Sequence, residues 1–473
     1  MRHVTALLAL TLTVAPALAH ADTAIEVLAL PRVQARTGDF DAMLKRRAIR
    51  ILVVPSKTYF FLDRGDTLGL TAEIGREFEK WINKRHAKGP YDIKVVFVPT
   101  QRDRIFQALR DGKGDIAAAM LTVTPDRAAV VDFAAPWTTN VKEVLVTGPF
   151  APAITTLADL SGQKVMVRAS SSYYTHLVAF NARLKAESRA PVIIVNADEH
   201  LEDEDLMQMV AGGLLPWAIV DEPKAKLWAR ILKGVTVHSD VALNESGEIA
   251  WAIRKNSPLL KREIAAFVSE RRKFAEDLGA QYLYDGRIVR NALAADQLDK
   301  FKALIGFFKT YGERYRVDPY ILAAQGFQES AFDQKLRMKS GAVGIMQMKP
   351  STAREELGIN DIVTHAEDNI HAGAAYLRFL VNKYLNDPTI PEREKVLMTL
   401  AAYNAGPGNL KKFRDKARAQ GFDPNLWFDN VEQGAAAVVG QETVQYVGNI
   451  YKYYIAYSRL LAAEPQATAE KGK

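Results

Sequence analysis

Glu329 is the residue on which chemistry can be built. It stands in the stretch Gly326–Ala353, which has no histidine, no cysteine and only one other acid, Asp333. Asp318-Pro319 upstream is a helix N-cap followed by proline at the first helical position. A helix from Pro319 reaches Glu329 in about three turns, which places its carboxylate near the exposed C-terminal carbonyls. Phe327 and Phe332 lie close enough in sequence to remove water. Both influences raise a carboxyl pKa, and a glutamate that keeps its proton near neutral pH can act as a general acid. Asp333 would lie one turn on only if the helix continued, and it reads as a turn residue.

Other residues recur around this glutamate at distances that suit a bulky polar substrate. Gly341-Ala342 and Gly344-Ile345-Met346-Gln347 follow it. Glycine lets backbone approach a ligand closely, and Gln347 can both donate to and accept from an acetamido group. "AAYNAGPGNL", 401–410, ends a helix at Tyr403 and Asn404. "QETVQYV", 441–447, sets Glu442 and Tyr446 four apart on one helix face.

The elements that must hold these groups differ between the two halves of the chain. From about 47 to 272, β-branched runs ("IRILVV", "IKVVFV", "DIAAAM", "KVMVRA", "PVIIVNA", "LPWAIVD") alternate with helical patterns such as 71–84 and 101–110. This predicts α/β architecture with mainly parallel sheets. From about 298 the strand signal fades. Phe301, Leu304, Ile305 and Phe308 repeat at helical spacing, and 366–384, 392–403 and 442–460 also read as helices. The expected domains are therefore 47–272 and 298–461, with a linker at 273–297 and an apolar-poor tail at 462–473.

The 473 residues carry a formal charge of +7, 48% apolar residues and no cysteine. So mild a charge does not call for nucleic acid. The absence of cysteine excludes disulfides, zinc-thiolate sites, a cysteine nucleophile and a lipid-modified N-terminal cysteine. Residues 1–21 read as a cleavable signal peptide: a basic start, an apolar stretch from Val4 to Val14, then small-x-small cleavage patterns. The expectation is a periplasmic protein, with peripheral contact with the outer membrane left open. No metal or cofactor is expected.

From Leu298 to Leu461 the chain resembles the soluble lytic transglycosylase domain, a lysozyme-like α fold that cleaves peptidoglycan glycan strands. The resemblance rests on Glu329-Ser330, Gly341-Ala342, Gly344–Gln347, "NIHAGAAYL" (369–377), "AAYNAGPG" and "ETVQYV". It implies that Glu329 is catalytic, with Ser330, Gln347, Tyr403, Asn404 and Tyr446 in support. It also implies a lyase that leaves a 1,6-anhydro sugar without consuming water. Gln334 and Met338 stand where that family commonly has proline and serine, which bears on loop shape. The alternatives are a lysozyme-type hydrolase of the same fold and a catalytically silent binding or sensor protein.

The first half resembles the family-3 periplasmic solute-binding proteins, through the pattern in 103–137: helix, Gly-Lys-Gly-Asp, strand, Thr-x-Thr-x-x-Arg and Asp-Phe-x-x-Pro-aromatic. That likeness implies two lobes closing on an amino acid, with Arg127 clamping its carboxylate and Thr122 assisting. Asp221 would hold its ammonium, and Ser170 and Ser171 would be donors. A guanidinium fork suits a carboxylate. The two modules together match the layout of the membrane-bound lytic transglycosylase F family, in which the first is thought to bind amino-acid or muropeptide ligands and to regulate the second.

Overall fold

The computed structural model describes residues 35–63, 66–87, 92–282 and 290–462. The expected leader, and the expected tail beyond Ala462, lie outside these residues. All six expected β-branched runs are strands, at Ala48–Val53, Lys94–Pro99, Ile116–Thr122, Lys164–Val167, Ile193–Asn196 and Trp217–Asp221. Two longer strands, Asp132–Thr147 and Thr236–Ile253, and a short antiparallel pair, Phe61–Asp63 and Asp66–Leu68, complete the first half.

These long strands correct the expectation of mainly parallel sheets. The six-stranded sheet runs in the order Lys94–Pro99, Ala48–Val53, Ile116–Thr122, Thr236–Ile253, Asp132–Thr147, Trp217–Asp221. Ala48–Val53 pairs parallel with both of its neighbours, whereas the two long strands pair antiparallel with everything beside them. The reason is their reach. Ala134 and Trp251 pack into one core, with Phe78 and Phe267. Leu145, Val241 and Leu243 pack into another, with Val165, Leu177 and Trp217. Each long strand passes from lobe to lobe, and repeated register shifts between them bend the pair on the way.

The helices follow the apolar spacing. Leu70–His86 buries Ile74, Phe78, Trp81 and Ile82 along one face. Among the described residues the second half is helical apart from isolated bridges: Ala295–Tyr315, Pro319–Ser330, Pro350–Leu357, Ala366–Tyr384, Glu392–Ala405, Pro407–Ala419, Glu432–Val439 and Gln441–Ala462, plus a kinked segment at Trp427–Val431 in which Phe428 and Asp429 leave helical geometry. The interval 273–297 begins inside the helix Pro258–Tyr282 and ends inside Ala295–Tyr315. No described helix is long and apolar enough to cross a membrane.

One core runs through both halves. Val144, Leu206, Met207, Val210 and Trp228 from the first half cluster with Phe301, Phe308, Phe327, Leu377 and Tyr457 from the second. The helix Asp203–Ala211 is at the centre of this join. Its residues from Asp203 to Val210 are all buried, acids included.

Candidate active site and ligand cleft

The helix Pro319–Ser330 starts as its sequence requires. Asp318 accepts a hydrogen bond from the Tyr320 N–H at 2.8 Å, and Pro319 takes the first position. It ends abruptly at Ala331 and Phe332, both with positive φ (52° and 63°). Neither is glycine, so the turn is strained. Burial of Phe332 against Phe301, Phe308, Phe327 and Tyr457 holds it in place. Glu329 therefore sits in the last turn of a helix whose exit is fixed. Asp333 is exposed and caps its own turn through Lys335 N–H.

The Glu329 side chain is half-buried, and burial pushes its pKa up to about 7, against opposing pulls from Tyr446 and Arg290. The Tyr446 hydroxyl donates to Glu329 Oε1 at 2.5 Å. Burial and the nearby Glu329 charge hold the Tyr446 phenol well above its ordinary pKa, so it remains a donor. Gln325 Nε2, fully buried, donates in turn to the Tyr446 oxygen at 3.3 Å. Tyr446 thus accepts one hydrogen bond and donates one to the carboxylate.

The other expected residues brace or flank this pair. Tyr403 donates to the Met346 carbonyl at 2.7 Å, and its phenol is raised first by burial and then by the Glu329 charge. Ser330 Oγ lies 2.9 Å from the Ile345 carbonyl, tying the helix end to the glycine loop. Gln347 has φ 45°; its Nε2 donates to Gly344 O at 2.7 Å, and its Oε1 is buried without a partner. Asn404 is exposed and accepts from Thr443 Oγ1 at 2.8 Å, one turn from Tyr446 on the same helix. Glu329, Tyr446 and Tyr403 come together, while Ser330 and Gln347 brace the glycine loop and Asn404 is joined to the Tyr446 helix through Thr443.

Sequence reasoning named Asn369, Gly344 and Gln334 but not the way they hold the loop. Asn369 accepts from Met346 N–H at 2.7 Å and donates to Val343 O and Ile362 O. Gly344 has φ +75°, and a Cβ there would lie 2.4 Å from Asn369 Nδ2. Gln334 donates to Ile362 O and Val363 O and accepts from Ile345 N–H, so the loop is tied where a proline was expected. Met338 is exposed. Arg290 also went unread: it donates to Gln328 O at 2.5 Å beside Glu329.

The helix Gln441–Ala462 that carries Tyr446 also grips the first half. Gln445 takes the Leu62 backbone from both sides, accepting its N–H at 2.7 Å and donating to its carbonyl at 3.0 Å. Tyr451 donates to Asp198 Oδ2 at 2.9 Å, and Lys452 pairs with Asp205 at 3.2 Å. Successive helix residues project about 100° apart, so Gln445 faces Leu62 while its neighbour Tyr446 faces Glu329.

In the first half, Arg127 is half-buried and donates to Thr122 O at 2.8 Å and to Ser170 O at 2.9 Å. Ser170 Oγ donates to Glu199 at 2.5 Å. Ser171 caps the helix Ser172–Ala186, accepting from Tyr174 N–H and donating to Arg168 O. Both hydroxyls are therefore engaged within the protein. Ser172 Oγ and Thr122 Oγ1 are 3.3 Å apart. Asp221 is buried and its Oδ1 has no hydrogen-bond partner. Burial raises its pKa to about 7; Lys224 opposes this, and Asp203 and Glu143 add to it. Among the described residues no three His, Asp or Glu side chains converge as a metal site requires.

Comparison with known proteins agrees with this division. The model of bacterial extracellular solute-binding proteins, family 3, matches residues 49–276, and that of the transglycosylase SLT domain matches 306–426. Similar proteins include membrane-bound lytic murein transglycosylase F 1 of Alkalilimnicola ehrlichii, 28% identical over 89% of this chain and 85% of its own length. The transglycosylase F of Alcanivorax borkumensis is 27% identical over 88% of each chain. That of Desulfosudis oleivorans is 29% identical over 74% of this chain and 79% of its own. Among solved structures, the ancestral amino acid-binding protein AncCDT-1 is 25% identical over 51% of this chain and 98% of its own, with a TM-score of 0.41. The chain thus joins a stretch that matches the family 3 solute-binding proteins to one that matches the transglycosylase SLT domain, and its likeness to the membrane-bound lytic murein transglycosylases F runs through both.

Proposed function

We propose that the protein is a peptidoglycan lytic transglycosylase, a lyase governed by a domain that binds an amino-acid-type ligand. The observation that carries this reading is the pairing of Glu329, raised to about 7, with the Tyr446 hydroxyl. Ordinary glycosidases use two carboxylates, whereas here a single one must serve both steps. Protonated Glu329 gives its proton to the glycosidic oxygen between N-acetylmuramic acid and N-acetylglucosamine. The substrate's own acetamido group stabilises the cationic centre. The resulting Glu329 carboxylate, held by the Tyr446 hydrogen bond, removes the proton from the muramic 6-hydroxyl as that oxygen attacks C1. Gln347 and the glycine loop face the acetamido groups, and Asn404 lies at the rim.

The ligand domain closes through Arg127 and Asp221 on a carboxylate and an ammonium, as at the end of a wall stem peptide. The helix Gln441–Ala462 links that domain to Glu329. Residues 1–21 direct export to the periplasm, where the basic chain meets anionic wall polymer or the outer-membrane surface; cell fractionation that leaves an unprocessed chain in the cytoplasm would refute this. For the reaction, the test is mass spectrometry of wall sacculi digested by the mature chain. Anhydromuramic ends are expected. Reducing muramic ends would make the protein a hydrolase, and undigested sacculi would make the SLT domain a silent scaffold.

A further inference from the structure

Beside Asp221 stands a second acid that none of the sequence patterns pointed to. Glu143, on the long strand Asp132–Thr147, pairs in register with Asp221 on the neighbouring antiparallel strand. Directly opposed residues of an antiparallel pair project to the same face of the sheet, so the two carboxylates lie side by side. Both are almost completely buried, at 1% and 4% exposure. Each keeps one oxygen, Glu143 Oε1 and Asp221 Oδ1, without a hydrogen-bond partner.

His176 Nδ1, on the helix that Ser171 caps, is 2.6 Å from Glu143 Oε2. It fixes that oxygen and leaves the other open. The Tyr173 hydroxyl accepts from Asp221 N–H at 3.1 Å and closes the same corner. The Arg127 guanidinium is near enough to feel both acids. The other buried cations are already engaged: Arg102 with Glu202, and Arg168 and Lys224 with Asp203. A simple zwitterion on Arg127 and Asp221 would leave Glu143 Oε1 buried without a partner, since His176 takes only the other oxygen, and an unpartnered buried polar atom is costly. A ligand that carries a second ammonium group gives that oxygen a partner as well.

We propose that Glu143 and Asp221 form a paired anionic subsite, so that the cleft selects a diamino acid, free or at a peptide end, over a neutral one. Its carboxylate lies on Arg127, one ammonium on Asp221 Oδ1 and the second on Glu143 Oε1, with His176 as the positioning residue for Glu143. This rests on the reading of the cleft as an amino-acid-type site.

Titration calorimetry on the full mature chain tests it, with L-ornithine and L-lysine set against L-norvaline and L-norleucine, which lack the second amino group. The wild type should bind the better diamino acid at least about tenfold more tightly than its neutral counterpart. Glu143→Gln, which keeps the side chain's shape, should lose that preference while holding norvaline and norleucine within about twofold of wild type. Equal wild-type affinity for charged and neutral partners overturns the inference and leaves the amino-acid site standing, and this arm needs no variant to fold. A preference that survives in Glu143→Gln overturns the role of Glu143. If none of the four compounds binds, the amino-acid reading of the cleft itself fails, and the inference with it.

Discussion

Glu329 and Asp221 are carboxyls in different halves of the molecule, both raised to about 7, in each case first by burial. Their neighbours differ. Around Glu329 the named charges and donors, Tyr446 and Arg290, all favour the ionised form, and the side chain keeps partial access to solvent. Asp221 is closed in, with one oxygen unpartnered and two further acids, Asp203 and Glu143, working against its charge. The same displacement therefore serves different ends. A carboxyl with a fixed donor and an open side is set to pass a proton back and forth. One with an empty oxygen and like-charged neighbours is set to receive a cation.

The largest expected effect breaks the catalytic side of this comparison. Glu329→Gln keeps the shape but cannot cycle a proton, and should lower sacculus digestion by about 10²–10⁴ or more, since one group serves both steps. Its circular dichroism and melting should remain those of a folded protein. Near wild-type digestion by such a variant would place the chemistry elsewhere.

Asp221→Asn tests the other side through stability. The native pKa is raised from an ordinary 3.8 to about 7. Wild-type stability is therefore full below about pH 4 and falls as pH rises through about 7, where burying the ionised form becomes costly. The asparagine variant should be more stable than wild type by about 1–4 kcal/mol at pH 8, with the gap closing near pH 4. Denaturant melts at the two pH values measure this, and an equal gap at both would show that Asp221 is charged throughout.

Tyr446→Phe gives the finest distinction. Catalysis needs protonated Glu329, so activity should fall as pH rises past about 7. The tyrosine hydrogen bond pulls that pKa down. Removing it should shift the falling limb to higher pH by about half a unit to one unit, with a rate loss of about tenfold at the optimum. An unmoved limb would mean that the hydroxyl does not touch the titrating carboxyl in solution.

What was legible in the sequence follows from how local each interaction is. The helix 366–384 is found at its expected bounds and 392–405 within two residues, because helical apolar spacing repeats within a few residues. Glu329, Tyr403 and Tyr446 were readable because their segments carry recognisable residues. The contacts of the supports were not. Asn369 acts across 23 residues on Met346, and Gln325 across 121 on Tyr446. Glu143 becomes a neighbour of Asp221 only through strand register, and nothing near residue 143 announces which strand will lie beside it. The long strands were missed because Pro136 and the register shifts disguise them.

The helix Asp203–Ala211 has a further consequence for how the chain can come apart. Leu206, Met207 and Val210 share one apolar cluster with Phe301, Phe327 and Tyr457, while Asp205 is held by Lys57 from the first half and Lys452 from the second. Cutting the chain between 282 and 290 would strip this helix of cover and leave a buried acid without one of its cations. Calorimetric melting should therefore show one cooperative transition spanning both domains, and the SLT domain expressed alone should expose a sticky apolar scar. An engineer wishing to borrow the catalytic module would have to redesign that scar first.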